Sequence, residues 1–160
     1  MRIGAAALVA ASVLLPRAVA AQGSVSLTVT GGPVAFATPA ATDFNAGSIA
    51  STGSLTYSVA TSGGPPGTSH TSTVSVRATT GTLGGTKPVT DLQWERADLL
   101  GTWNGVTTTN AQVEQRTIVR KGANDPWSNQ LNFRMLLSYA NDAPGTYSTG
   151  LVITLTVTTP

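Results

Sequence analysis

The sequence predicts an all-β fold, a single antiparallel β-sandwich, and three observations predict it. Apolar residues recur with period two in segment after segment, the mark of strands with one buried face. Gly- and Pro-containing turns punctuate those segments. No stretch sustains the 3.6-residue apolar period of an amphipathic helix. About eight or nine short strands in one domain follow from this pattern.

The first strand is Ser24-Val25-Ser26-Leu27-Thr28-Val29-Thr30, which alternates without a fault until Gly31-Gly32-Pro33 stops it. Val34 to Ala37 forms a short second strand, and Pro39 to Gly47, with Asp43 and Asn45, is a loop. Ser54 to Val59 places Leu55, Tyr57 and Val59 on one face, ahead of a surface loop at Gly63-Gly64-Pro65-Pro66-Gly67. Thr73 to Ala78 alternates again, with Val74, Val76 and Ala78 against Ser75 and Arg77. Gly81 to Gly85 interrupts before a strand from about Pro88 to Glu95 that carries Leu92 and Trp94. After a connection at Ala97 to Gly101, Trp103 to Thr108 and Val113 to Arg120 can pair as a hairpin across Thr109-Asn110-Ala111, and Gly122 to Pro126 is a further loop.

The strongest alternation comes last. Leu131, Phe133, Met135, Leu137 and Tyr139 form one apolar face, and Leu151, Ile153, Leu155 and Val157 form another, so both segments are expected as central strands. Asn141-Asp142-Ala143-Pro144-Gly145 has Pro pre-set in φ and Gly free to take positive φ, which predicts a hairpin joining them.

Residues 1–21 have the build of a cleavable export signal: Arg2, then an apolar run from Ile3 to Leu15, then Ala18 and Ala20 as the small pair before cleavage at Ala20 or Ala21. That leaves 22–160 as the β-sandwich domain. Arg2 and Arg17 depart with the signal, so the nine basic residues become seven against seven acidic ones and the mature chain is formally neutral. A nucleic-acid partner is therefore not expected. No further apolar run is long enough to span a membrane. Without cysteine there are no disulfides, and cohesion must come from packing and sheet hydrogen bonds. The expected location is outside the cell, by way of the periplasm.

Candidate chemistry is sparse. The only histidine, His70, sits in Gly67-Thr68-Ser69-His70-Thr71, a stretch that reads as a solvated loop, and no Gly-x-Ser-x-Gly elbow is present. Asp91 and Glu95 read as a solvated strand face rather than a carboxylate pair. Asp125 beside Asn124 and Asp142 beside Asn141 are Asx-turn residues before they are calcium ligands, and no Asp-x-Asp-x-Asp-Gly loop occurs. No catalytic residue, metal or cofactor is assigned. Among the aromatics Trp94 reads as core, whereas Trp103 and Trp127 lie near strand starts where partial exposure would suit a sugar-stacking platform, although packing is the reading placed ahead of carbohydrate binding.

One feature has mechanical content. The strand of Val25, Leu27 and Val29 is joined to the rest by Gly31, Gly32 and Pro33, a junction that can act as a hinge. If that strand paired with a neighbouring copy, each subunit would complete the next and a head-to-tail homopolymer would follow. The other reading is an ordinary first strand folded into its own sandwich.

Thr28 to Phe36 followed by Gly47 to Val59 resembles the opening of spore coat protein U and Csu-type pilin domains, and Ala143-Pro144-Gly145-Thr146-Tyr147 leading into Leu151 to Thr158 is similar to that family's final strand. These matches cover less than half of the mature chain, and the cysteines usual near the start of such domains are absent. The resemblance implies an Ig-like sandwich assembled by donor-strand exchange with a periplasmic chaperone and an outer-membrane usher. By position it implies a donor strand at Ser24 to Thr30 and a groove bordered by Tyr147, Leu151, Ile153, Leu155 and Val157. The function expected is a non-enzymatic, pilin-like surface-fibre subunit. The alternative is a monomeric module that binds carbohydrate or protein through Trp103 and Trp127, and a hydrolase would require His70.

Overall fold

The computed structural model describes residues 24–62, 67, 69–119, 126–142 and 147–158. The expected export signal, most of the Gly63-to-Gly67 and Gly122-to-Pro126 loops and the tip of the Asn141-to-Gly145 turn lie outside them. The described residues form nine strands: β1 (Ser24–Thr30), β2 (Ser48–Ala50), β3 (Leu55–Ser62), β4 (Ser69–Ala78), β5 (Leu92–Arg96), β6 (Asn104–Gly105), β7 (Ala111–Val119), β8 (Trp127–Leu136) and β9 (Leu151–Thr158). A short helix, α1 (Ala41–Ala46), and a 3-10 turn (Val89–Asp91) complete them.

The strands make two antiparallel sheets, a β-sandwich. The larger runs β1-β3-β8-β5-β6, with β2 beside β8 beyond the end of β3. The smaller runs β7-β4-β9. Alternate residues of both sheets face inward, so Tyr57, Val59, Leu131 and Phe133 from one meet Val74, Val76 and Ile153 from the other, all at 1 % exposure or less.

The chain changes sheet between β3 and β4 and at most later connections, and this corrects two expected hairpins. Trp103 to Thr108 does not pair with β7. Asn104–Gly105 pairs with β5 instead, and Val106 is buried and donates its N–H to the Leu92 carbonyl at 2.8 Å. Thr109-Asn110-Ala111 lacks the positive-φ residues of a tight hairpin turn, and it carries the chain across to the other sheet. β8 and β9 also lie in different sheets. β8 is central, but β9 is an edge strand whose core residues Leu151, Ile153 and Leu155 register with Ala78, Val76 and Val74 of β4. Period two shows which face is buried and not which strand lies alongside.

Two smaller expectations also change. Val34 to Ala37 makes no ladder between Pro33 and Pro39, although Val34 is buried and the Ala35 carbonyl accepts the Thr52 N–H. The expected loop from Pro39 to Gly47 contains α1, which ends on Gly47 at φ 73°, and the Asp43 carboxylate accepts the Ala40 N–H at its start. Six residues are too few to show a helical period.

A β-bulge sets up the interior. Val74 faces Glu114 and Ser75 faces Gln112, which leaves Val113 as an extra residue on β7. Both Val113 and Glu114 are consequently buried.

Truncating a central core residue should cost more than truncating one on β1. Leu131→Ala is expected to lose about 3–5 kcal/mol and Leu27→Ala about 2 kcal/mol, because a site on the sheet edge can collapse more freely. Urea unfolding of both variants measures the difference.

Candidate functional site

β1 is the outer strand of the larger sheet, and among the described residues its only ladder is to β3, from Ser24 opposite Ser62 to Thr30 opposite Thr56. Val25, Leu27 and Val29 point inward with their partners Thr61, Val59 and Tyr57. Leu27 is 8 % exposed, whereas Val25 and Val29 are half-buried. β9 is an edge of the smaller sheet, and Cα atoms of β1 and β9 come within 8 Å without any pairing between the strands. On β9, Leu151 and Ile153 are buried, but Leu155 and Val157 are half-buried. The two edges therefore leave inward-facing apolar residues only partly covered on one flank of the sandwich. Tyr147 lies ahead of β9, with its ring 5.7 Å from the Lys87 ammonium.

The junction after β1 is less uniform than its composition. Gly31 holds φ 118°, and a Cβ there would collide with the Ser54 carbonyl oxygen, so this position requires glycine. Gly32 has open space around it, and Pro33 is exposed.

Opposite these edges in importance is a polar cluster between the sheets. Glu114 of β7 is 5 % exposed, and its carboxylate accepts hydrogen bonds from the Tyr57 hydroxyl of β3, from Asn129 Nδ2 of β8 at 3.2 Å and from Arg116 Nε at 2.6 Å. Arg96 of β5 stands 3.6 Å away and is held by Asp98. Burial alone would raise the Glu114 carboxyl, but the donors Tyr57, Arg116 and Asn129 outweigh it and keep it below its ordinary value. Asp98 is pushed down to about 2 by Arg96 and then Asn129. Burial and Glu114 push the Tyr57 phenol up.

Trp127 belongs to this cluster. It is 6 % exposed, meets Tyr57 edge-on at 6.0 Å and lies under the Arg116 guanidinium at 4.9 Å, so packing and not partial exposure describes it. Trp103 is half-buried, with the Arg134 guanidinium 4.4 Å from its ring centre. The pair thus offers no shared open platform. His70 is not a loop residue: it lies on β4 at 1 % exposure, and Ser72 two residues on is buried as well. Glu95 is also buried and accepts the Gly101 N–H at 2.7 Å, while Asp91 sits in the 3-10 turn, so the two do not share a solvated strand face. Among the described residues no three His, Asp or Glu side chains group as a metal site.

Sequence reasoning missed Glu114 because strict alternation from Val113 sends it outward. The available signal was Arg116 two residues on, an opposite charge on the same strand face.

Glu114 and Asp98 are held below their ordinary 4.5 and 3.8, so their stabilising contribution is complete above those values and is lost as pH falls below them, for Asp98 toward about 2. Glu114→Gln should cost about 2–3 kcal/mol, less than a fully buried broken pair because Arg116 is partly solvated, and should flatten the acid limb. Unfolding midpoints measured across pH check both. Gly31→Ala should destabilise the closed monomer by about 1–3 kcal/mol through backbone strain, read from the same unfolding curves.

No protein-family model matches the chain, and no curated protein or solved structure does either, so a functional reading rests on the geometry of these edges.

Proposed function

We propose that the mature protein is an exported, non-enzymatic structural subunit that self-associates into a surface fibre through β1. The export signal at 1–21 is removed, β1 leaves its own sheet, and it pairs with the β3 edge of the next copy. The observation that carries this reading is that, among the described residues, β1 is an edge strand attached by one ladder, with Leu27 as its one buried side chain and a second edge, β9, beside it.

The energetics support exchange. An exchanged β1 recreates the same seven register pairs and the same Leu27 burial, so little interaction energy changes beyond the junction. A head-to-tail contact whose rotation does not close propagates as a filament. The formally neutral mature chain adds little repulsion between copies. The half-buried Leu155 and Val157 give an arriving strand apolar surface to cover. With the resemblance to spore coat protein U and Csu-type pilins, the partners proposed are other copies of the chain, a periplasmic chaperone and an outer-membrane usher. The carbohydrate-binding alternative has less support, since Trp127 is buried and Arg134 covers a face of Trp103.

Negative-stain microscopy of the mature protein tests the reading, beside a version lacking residues 21–30 and a Leu27→Asp variant. Fibres are expected from the mature chain and from neither altered form. Isolated particles from all three at high concentration would contradict it.

A further inference from the structure

Lys87 is 3 % exposed, a rare state for lysine. Its backbone is fixed by the Leu83 N–H on the Lys87 carbonyl at 2.9 Å and by the Val89 N–H on the Gly81 carbonyl at 3.0 Å. Its ammonium nitrogen lies 2.6 Å from Asp142 Oδ1 and 3.0 Å from Asp91 Oδ2. The side chains of Lys87 and Asp142 are 2 % and 6 % exposed, and the amine lies over the Tyr147 ring, 5.7 Å from its centre. Asp142 Oδ2 accepts the Ser138 backbone N–H at 2.8 Å. An amine and a carboxyl with each oxygen engaged are thus held together away from water, beside a second carboxylate, Asp91, that is partly exposed.

We propose that Lys87 and Asp142 join in an intramolecular isopeptide bond that the fold itself forms, with Asp91 carrying the proton. Nζ first passes one proton to Asp142 Oδ1 across their 2.6 Å contact, giving amine and carboxylic acid. The amine attacks Asp142 Cγ, and the negative charge that develops on Oδ2 is met by the Ser138 N–H. Asp91 takes a proton from the attached nitrogen and returns it to Oδ1, the Cγ–Oδ1 bond breaks, and one water departs. The product is an amide, with Asp91 ionised as before, and no oxidant or other reactant is needed. Fixed contact replaces the chance encounter that makes the same condensation unfavourable between free side chains.

The bond would tie the segment before β5 to the segment after β8. It would supply a covalent closure that no reductant opens, in a chain without cysteine. β1 lies outside the closed loop, so the proposal stands independently of strand exchange.

Intact-mass measurement of the denatured mature protein should give the sequence mass less one water, and a digest should yield a branched peptide containing Lys87 and Asp142. Lys87→Arg and Asp91→Asn should both keep the full sequence mass while circular dichroism shows the β-sandwich retained. A folded wild-type protein at full sequence mass after prolonged incubation would overturn the proposal. So would loss of water in a linear peptide, which marks a cyclic imide at Asp142.

Discussion

The sandwich depends on one carboxylate. Glu114 is withdrawn from water between the sheets, where an unpaired charge is strongly unfavourable, and it is tolerated because donors converge on it from both layers. Tyr57 comes from β3, Asn129 from β8 and Arg116 from β7 itself, while Arg96 of β5 stands just beyond bonding distance. Losing the alignment of any of these strands would strand the charge, so the cluster fixes how the sheets face each other. In a chain without disulfides this is a directional constraint that links the two sheets across a largely apolar core.

What the cluster leaves out is as informative as what it includes. Of the larger sheet, β3, β8 and β5 contribute to it, but β1 does not. The core of the sandwich is therefore fastened without its first strand, which adds one ladder and one buried leucine at the rim. The second buried ionic group, Lys87 with Asp91 and Asp142, binds connections next to β5 and β8 and likewise leaves β1 free. Rigidity in the body and weak attachment at the edge suit a subunit that holds its shape while lending a strand to its neighbour.

Much of this was legible in the sequence, and the residues show where legibility stops. The alternation at Leu131, Phe133 and Met135 marked the strand that proves central, and the first strand appears at Ser24–Thr30 as its alternation indicated. Partners were not legible, because alternation records burial of a face and both sheets can bury it; β9 went to β4 for that reason. Glu114 escaped because a single extra residue, Val113, inverts the phase of β7. His70 escaped because a polar run from Ser69 to Thr73 hides a strand whose inward positions are His70 and Ser72. At Gly31 the composition suggested freedom, whereas contact with Ser54 shows a fixed position that strand exchange would have to release.

The most direct measurement exploits the absence of cysteine. Thr28 and Ser58 are register partners on the outer face of β1 and β3, and a Thr28→Cys, Ser58→Cys double variant places one thiol on each. If β1 exchanges between copies, oxidation of the concentrated mature protein should give a ladder of covalent multimers on a non-reducing gel that collapses on reduction. An oxidised product that is wholly monomeric, with the disulfide closed within each chain, would contradict the account.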